Sequence, residues 1–397
     1  MAAALLPTAR ANAAWDAWQR DAARGPLDPA LWRILPLLHT RLAGPGADLT
    51  PPHSPEGAAL VAKARAALEQ TRYRNGLLLG EAAAAVRALR LAGIETCLLK
   101  GAALVTGVYR NAAVRPMSDA DLLVRPEDAT RAIETLLGEG WSTPAPLGRV
   151  EIARFHSAPF TTAVHGSIDL HWRALDARFH ADEDAPLWGA ARVGEIGGER
   201  CLIPAPADLL LHACVGGQRF EGEASWRWLA DARALLSRGD DAPDWDHFEA
   251  EAVRCGEAET LADALAELQA ALDVPLPDGL GIRLRKAPVK TTRRLAARAR
   301  RLHPEARGLV LTAALHLETY RDLVARGAVP AGPTGLAEAV AFAWGDIEVR
   351  QLPAEAARRA TRRLRDLFGG SARNAGAPGD ANSTLRAAGP RRAPDRF

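Results

Sequence analysis

The chain has 397 residues, which is long enough for two or three domains that each bury a core. Its formal net charge of +2 gives no general reason to expect affinity for nucleic acid or for a membrane surface. Four scattered cysteines without a Cys-x-x-Cys pair, no signal-peptide pattern and no apolar run of roughly 20 residues argue against a disulfide framework, a zinc site, secretion and a membrane span, and favour a cytoplasmic location.

The N-terminal residues are predicted to be helical. Residues 13–43 carry apolar side chains at helical spacing, and a loop rich in proline and glycine follows at 44–55. A long helix is then predicted from Pro55 to Leu91, because Gly93 is a natural C-terminal breaker. We therefore predict an N-terminal helical region over residues 1–92.

A change of periodicity marks the next region, where strands mix with helices. The predicted strands are 96–100, 119–124, 150–155, 158–164 and 167–172, with a tight turn at His165-Gly166 before the last of them. The predicted helices are 102–108 and 127–137. Such a mixture indicates one α/β domain over residues 93–203.

The chain after Pro204 is predicted to be almost entirely helical. Apolar residues recur at helical spacing in 208–215, 226–236, 245–253, 260–272, 291–302, 308–326, 334–346 and 353–368. The final stretch is rich in Gly, Ala, Pro, Ser, Asn and Arg, a composition typical of disorder. We therefore predict a helical domain over 204–368 and a disordered tail over 369–397.

Two acidic residues stand at the start of one predicted strand. Side chains alternate across a strand, so Asp119 and Asp121 project from the same face. Two adjacent carboxylates repel each other unless a cation neutralises them or water solvates them. Mg²⁺ prefers a few hard oxygen ligands from the protein and completes its shell with water and phosphate oxygens, so this pair suits it. A solvated strand end or a turn is the alternative interpretation.

A third aspartate lies in the middle of a later apolar strand. In Ser167-Ile-Asp-Leu-His-Trp172, Asp169 shares its face with Ser167 and His171. Burial of an unpaired charge is unfavourable, so Asp169 needs a cation, a capped backbone or a basic side chain as its partner. If its strand lies beside strand 119–124, three carboxylates converge and can hold one or two Mg²⁺ ions, which neutralise a triphosphate and activate an attacking hydroxyl.

Several neighbours of these aspartates are candidate nucleotide ligands. Gly101, between a predicted strand and a helix, lets a phosphate approach backbone N–H groups, or it serves as a plain tight turn. Lys100 pairs with a phosphate, or it is a solvent-exposed residue at the end of a strand. Arg115 holds the triphosphate, or it is a structural counterion of the aspartates. Ser118 caps or turns the chain. His171 is interpreted as a supporting or packing residue.

Resemblance to a known family rests on four motifs in a defined order, which are LLKGAAL, RPMSDADLLV, EDATRAIETLLGEGW and SIDLHWR. They resemble the uncharacterised nucleotidyltransferase family of the polymerase-β superfamily. The later segments PADLLLHACVGG and WRWLADARALL resemble the helices that follow its catalytic core, so the resemblance covers roughly residues 60–260. It implies an α+β fold with a small mixed β-sheet nucleotidyltransferase core flanked by helices, N-terminal helices and an all-helical C-terminal region.

The resemblance also implies a function. The family transfers a nucleotidyl group from an NTP to a hydroxyl, phosphate or amine acceptor, with Mg²⁺ as cofactor. Asp119 and Asp121 would bind the metal, and Asp169 would bind metal and act as base for the acceptor. Gly101 would lie against the triphosphate, within a nucleotide-binding set formed by Lys100, Gly101, Ala102, Arg115 and Ser118. ATP, GTP, CTP and UTP are all candidate donors.

Two further interpretations stay open. Many superfamily members have Gly-Ser where this chain has Gly101-Ala102, and Ala102 has no hydroxyl to hold a phosphate oxygen. A non-catalytic binding module that keeps the fold is therefore the second interpretation. A basic run over 283–307 is the only motive for the third interpretation, a toxin-like transferase that acts on tRNA or protein, because the run is more simply explained as a solvated helix face. Small molecules, peptides and RNA are all candidate acceptors.

Overall fold

The structure, a computed structural model, describes residues 1–21, 29–44, 47–144, 146–162, 167–175, 184–219 and 226–369. The chain divides into two compact units, Met1–Ala328 and Val329–Phe397. The four regions predicted with boundaries at 92, 203 and 368 remain a prediction. The predicted turn at His165-Gly166 and the predicted tail after Gly369 lie outside the described residues.

The first unit contains helices and, in its middle part, short strands. Its α-helices are α1 (Ala2–Leu5), α2 (Thr8–Asp21), α3 (Pro29–Trp32), α4 (Leu35–Ala43), α5 (Pro55–Leu91), α6 (Lys100–Ala103), α7 (Ala129–Gly138), α8 (Arg149–Arg154), α9 (Ala185–Ala190), α10 (Pro206–Gln218), α11 (Arg227–Leu236), α12 (Trp245–Arg254), α13 (Ala258–Leu272), α14 (Leu280–Lys286), α15 (Thr291–Arg300) and α16 (Leu309–Ala325). The strands are β1 (Cys97–Leu98), β2 (Ala120–Leu123), β3 (Ser157–Thr161), β4 (Ser167–His171), β5 (Arg192–Ile196) and β6 (Glu199–Ile203). A π-helix, Leu104–Tyr109, continues α6.

The strands of the described part form one six-stranded mixed sheet in the order β3-β4-β2-β1-β6-β5. β2 pairs in parallel with β4, and β1 pairs in parallel with β6. The other neighbours, β1 with β2, β3 with β4 and β5 with β6, are antiparallel. Helices precede, flank and follow this small mixed sheet, so the predicted α+β fold class is confirmed.

The long helix α5 has the bounds that the sequence predicts. The Ser54 side chain accepts a hydrogen bond from the Gly57 N–H at 3.0 Å, which caps the first turn. Gly93 follows the last turn with a φ of 73°, a left-handed conformation that glycine adopts without strain. Buried residues such as Ala82, Val86 and Leu89 recur at helical spacing, and α5 contacts both the sheet and the helices α2 and α4.

Residues Arg149–Arg154 form the helix α8, and the prediction of a strand over 150–155 is wrong. Val150 and Ile152 alternate with polar neighbours, but so short an alternation does not distinguish a strand from a helix. The Glu151 carboxylate accepts a hydrogen bond from the Gly148 N–H at 2.9 Å and closes the first turn. Trp172 Nε1–H donates to the Ile152 carbonyl at 2.8 Å, which ties α8 to the end of β4.

The two faces of the sheet have different surroundings. Leu122, Ile168 and Trp172 are fully buried in the main hydrophobic core. Alternate residues of the same strands, among them Asp121 and His171, project from the opposite face and line a cavity. The sheet therefore presents a polar site on the face opposite to Leu122, Ile168 and Trp172.

The second unit contains the helices α17 (Pro333–Ala343) and α18 (Leu352–Gly369). Arg358 and Arg359 of α18 pair with Glu355 at 3.3 Å and 2.8 Å, and the Arg359 guanidinium lies 4.9 Å from the ring centroid of Trp344. Within the described ranges of both units, none of the helices combines the length and the apolarity that a bilayer crossing requires.

Candidate active site

Two neighbouring strands bring two of the predicted metal ligands side by side. In the parallel pair β2–β4, Asp121 lies opposite Asp169. Paired residues of neighbouring strands project from the same face, so both carboxylates lie on one side of the sheet. The Asp121 side chain is 6% exposed and the Asp169 side chain is 23% exposed. Two carboxylates with so little exposure to solvent repel each other unless a positive charge lies nearby.

His171, at the end of β4, supplies part of that positive charge. Its Nε2 lies 3.1 Å from Asp121 Oδ1 and 3.0 Å from Asp169 Oδ2, and its Nδ1–H donates to the Arg173 carbonyl at 3.2 Å. Burial alone would lower the pKa of His171, but the hydrogen bonds with Asp121 and Asp169 raise it to about 9. Burial raises the pKa of both aspartates, yet the hydrogen bonds from His171 hold each below its ordinary value.

Lys100 adds a second cation at the same point. Its Nζ lies 2.5 Å from Asp121 Oδ1 and 3.5 Å from His171 Nε2. Burial lowers the pKa of Lys100, but the Asp121 carboxylate raises it above the ordinary value, so the ammonium stays charged. The predicted strand end at Lys100 is instead the first residue of α6, with a φ of 42° in the left-handed region. Backbone strain of this kind is frequent at functional sites.

Asp119 and Ser118 precede β2 and line the same cavity. The Ser118 hydroxyl donates to Asp119 Oδ1 at 2.9 Å. Burial raises the pKa of Asp119, and the Asp121 carboxylate raises it further. The third predicted carboxylate is therefore within electrostatic reach of the other two, although it stands outside their close contact with His171.

Arg115 forms its ion pair with Asp231, on α11. Its Nε donates to Asp231 Oδ1 at 2.8 Å and its Nη2 donates to Asp231 Oδ2 at 2.9 Å. The Tyr109 hydroxyl donates to Asp231 Oδ1 at 3.0 Å. The Arg115 and Asp231 side chains are only 8% and 4% exposed. This buried bidentate pair joins the loop before β2 to the helical region of the chain.

Gly101 lies directly against Arg115. A Cβ at this position would lie 2.5 Å from Arg115 Nη1 and 2.8 Å from Met117 Sδ. The close approach of these two side chains favours glycine here, because a larger residue would displace the ends of the Arg115 and Met117 side chains. Gly101 and Arg115 both line the cavity. A triphosphate bound against Gly101, as predicted, would therefore also lie beside the Arg115 guanidinium.

The cavity has a volume of about 340 Å³ and lies between the sheet and two helices. The sheet side contributes Lys100, Gly101, Ser118, Asp119, Asp121 and His171, whereas α10 and α11 contribute Leu209, His212, Gly216, Gly217, Trp228 and Asp231. A Cβ at Gly217 would collide with the Trp228 indole, so this glycine lets the ring pack at the wall. Ala102, in contrast, is fully buried in the main hydrophobic core.

Asp121, Asp169 and His171 form a group that fits a divalent cation. Each residue offers one ligand atom, and the three atoms lie within 4.8 Å of one another. Two carboxylate oxygens and one imidazole nitrogen are ordinary ligands of divalent metal ions in proteins. Asp119, the third predicted carboxylate, does not belong to this group of three closely spaced ligand atoms.

Two residues of the site are hard to recognise from the sequence. His171 is more central than a supporting or packing residue, because both carboxylates contact its Nε2. Asp231 lies 116 residues after its partner Arg115, and only the folded chain joins them. The one cue in the sequence is an aspartate among the apolar positions of a predicted helix.

Comparisons with known proteins bear on the whole of this region. Residues 31–272 match the family described as an uncharacterised nucleotidyltransferase. No match is found among the curated proteins. Among solved structures, an antigenic nucleotidyltransferase-like protein from Paracoccidioides brasiliensis is similar at 15% identity and a TM-score of 0.30, over 55% of this chain and 94% of that chain. The family match spans more than half of the sequence, and the chain therefore belongs to the uncharacterised nucleotidyltransferase family.

Proposed function

We propose that the protein is a metal-dependent nucleotidyltransferase that transfers a nucleoside monophosphate from an NTP to an acceptor hydroxyl, phosphate or amine, with Mg²⁺ as the expected cofactor. The observation that carries the proposal is the pairing of Asp121 with Asp169 on neighbouring strands, at a cavity of about 340 Å³. Membership of the nucleotidyltransferase family supports it.

The side chains divide into those that hold a cation and those that contact phosphate. Asp121 and Asp169, with Asp119 beside them, would hold the cation. When bound, a divalent cation neutralises phosphate charge and polarises the α-phosphoryl group. Lys100 and Arg115, which line the same cavity, would offer positive charge to the phosphate oxygens.

The reaction of a hydroxyl acceptor balances with these groups. The acceptor oxygen bonds to the α-phosphorus while the bond from that phosphorus to the bridging oxygen of the β-phosphate breaks. Pyrophosphate leaves, and the acceptor proton passes to Asp169. Asp169 is the more exposed of the paired carboxylates, with a side chain that is 23% exposed, so an acceptor hydroxyl can approach it.

The reason to consider a non-catalytic binding module was the alanine at position 102, and the burial of this residue weakens that reason. Ala102 points into the main core, so a serine at this position would place its hydroxyl among apolar side chains. Lys100, Gly101 and Arg115 do line the cavity. The departure from Gly-Ser therefore removes no group that faces a nucleotide.

The reason to consider an RNA acceptor was the basic run over 283–307, and the ion pairs of this run weaken that reason as well. Basic residues of the run over 283–307 form ion pairs within the first unit, which are Arg283–Glu249, Arg285–Asp263, Arg301–Asp263 and Arg300–Glu257. These acids belong to α12, to α13 and to the residue that precedes α13. Much of the basic charge is thus used to join helices, which favours a smaller acceptor.

Label transfer from α-³²P-labelled NTPs tests the proposal. Each NTP is incubated with the protein, Mg²⁺ and cell extract, with and without nuclease, so that donor and acceptor class are read together. We expect Asp121→Asn to transfer label at least about 100-fold more slowly than the wild type, because it loses a charged metal ligand. Asp273→Asn, which changes a carboxylate that is 76% exposed, is the matched control. Equal transfer by Asp121→Asn and the wild type would refute the proposal.

A further inference from the structure

We infer that His171 is itself a metal ligand, so that the cation in this site is bound by one nitrogen and at least two oxygens and is preferentially a transition-metal ion such as Mn²⁺. The inference rests on the proposed function for the presence of a cation. It adds to that function a specific ligand and a preference among metals.

The spacing around His171 is that of neighbouring ligands on one ion. Its Nε2 lies 3.1 Å from Asp121 Oδ1 and 3.0 Å from Asp169 Oδ2. In an octahedral shell with metal–ligand bonds of about 2.1 Å, adjacent ligand atoms lie about 3.0 Å apart. These three ligand atoms, all within 4.8 Å of one another, are close enough for one ion to bind all of them.

The orientation of the ring directs the correct nitrogen, Nε2, at the two carboxylates that would share the metal. The Nδ1–H donates to the Arg173 carbonyl at 3.2 Å, so a cation that displaces the Nε2 proton of the imidazolium leaves the neutral tautomer with its lone pair on Nε2. A hydrogen bond from the other ring nitrogen to a backbone carbonyl is the usual support of a metal-binding histidine. The His171 side chain is 1% exposed, so the surrounding protein holds the ring in this orientation.

The Lys100 ammonium lies beside the same three ligand atoms, where a positive charge is favourable. Its ammonium nitrogen lies 2.5 Å from Asp121 Oδ1 and 3.5 Å from His171 Nε2. The Lys100 side chain is 47% exposed, so it can turn into the cavity when another cation binds the carboxylates. There it would lie near the phosphate oxygens of a nucleotide.

A nitrogen ligand changes which metal binds best. Mg²⁺ favours oxygen ligands and retains water, whereas imidazole binds transition-metal ions more strongly. A site made of aspartates alone would distinguish Mn²⁺ from Mg²⁺ only weakly. The presence of His171 therefore predicts a larger preference for Mn²⁺, and removal of the imidazole reduces that preference.

Pulsed electron paramagnetic resonance of Mn²⁺ added to the full chain without nucleotide tests the inference directly. A bound imidazole gives ¹⁴N modulation of the Mn²⁺ echo, and labelling histidine with ¹⁵N replaces that modulation in the wild-type protein. The labelled wild type needs no substitution, so the test survives if a variant at this buried position does not fold. We expect ¹⁴N modulation in the unlabelled wild type and its loss in His171→Gln.

His156→Gln is the matched control, because His156 also lines the cavity and its ring centroid lies 5.3 Å from that of His171. We expect it to keep the ¹⁴N modulation. Calorimetry should show Mn²⁺ binding at least about tenfold weaker in His171→Gln, with a smaller loss for Mg²⁺. Mn²⁺ binding without histidine modulation, or modulation lost only in His156→Gln, overturns the inference and leaves the proposed function standing. If neither Mn²⁺ nor Mg²⁺ binds the wild type, with or without an NTP, the metal-dependent function fails too.

Discussion

Ala102 stands where the sequence resemblance leads us to expect a serine, yet its side chain is fully buried in the main core. A hydroxyl at this position adds a polar group to an apolar environment, which is unfavourable by about 1–3 kcal/mol unless it is hydrogen-bonded. We therefore predict that Ala102→Ser lowers the free energy of unfolding by about 1–2 kcal/mol and leaves nucleotide affinity unchanged. Urea unfolding and calorimetry measure these two quantities.

The control for this substitution is Ala66→Ser, at an exposed position of α5. A serine there meets water, so we expect a change in the free energy of unfolding below about 0.5 kcal/mol. A nucleotide that binds more tightly to Ala102→Ser than to the wild type would show that position 102 faces the ligand after all.

Asp231 is the second residue whose substitution is informative. Asp231→Asn leaves the Arg115 guanidinium buried without its bidentate carboxylate. Removal of one partner of a buried ion pair lowers stability by about 3–5 kcal/mol, so urea unfolding should show a loss of this size. Asp273→Asn is the control, because Asp273 has a left-handed backbone that asparagine tolerates and its contact with Arg10 is exposed. Equal stability of the two variants would disprove the role of the pair.

At the scale of elements, α10 and α12 are joined by a hydrogen bond that depends on pH. The His247 ring of α12 contacts the Asp208 carboxylate of α10 at 3.1 Å. This hydrogen bond raises the pKa of His247 above its ordinary value, although burial lowers it. Because the pKa is higher in the folded state, the stabilisation is complete below the pKa of the unfolded chain and is lost as pH rises through the folded pKa.

We therefore predict that His247→Gln lowers the free energy of unfolding more at about pH 5.5 than at about pH 9, which urea unfolding across this range measures. The pH dependence of the substitution should become smaller in an Asp208→Asn background, since the hydrogen-bonding partner is then neutral and only the weaker effects of Glu251 and Asp244 remain. An effect that grows with rising pH would contradict this account.

The elements differ in how far local sequence determines them. Helix α5 was predictable at both ends, because Ser54 caps it and Gly93 ends it. The hairpin of β5 and β6 has a local signal too, the pair Gly197-Gly198 with φ values of 56° and 85°, although no strand was predicted there. Helix α8 was predicted wrongly because six residues are too few for their periodicity to decide.

The site shows the same division between local and long-range information. Alternation along a strand predicts which side chains share a face, and it correctly groups Asp169 with His171. It says nothing about which strand lies beside β4, and the position of Asp121 opposite Asp169 depends on the sheet order. The contact of Asp231 with Arg115 depends on how α11 packs, which local patterns do not encode.

At the scale of the whole molecule, the family match ends at residue 272, and α14 and α15 follow it. Arginines of these helices pair with acids of α12 and with residues in and just before α13, inside the matched region. The basic run thus stabilises the attachment of later helices to the matched part. The alternative of a nucleic-acid surface loses much of the charge on which it depended.

The ammonium of Lys100 and the imidazolium of His171 have a consequence for how the protein can be handled. Together they offset two of the three negative charges of Asp119, Asp121 and Asp169 within the folded chain. Most of the negative charge of the site is thus balanced by the protein's own side chains, unlike in small domains that unfold when their structural metal is stripped. We predict that an excess of a chelator such as EDTA leaves the melting temperature unchanged in differential scanning calorimetry, whereas a fall of several degrees would contradict this. The same preparation could then be reconstituted with whichever single ion an experiment requires.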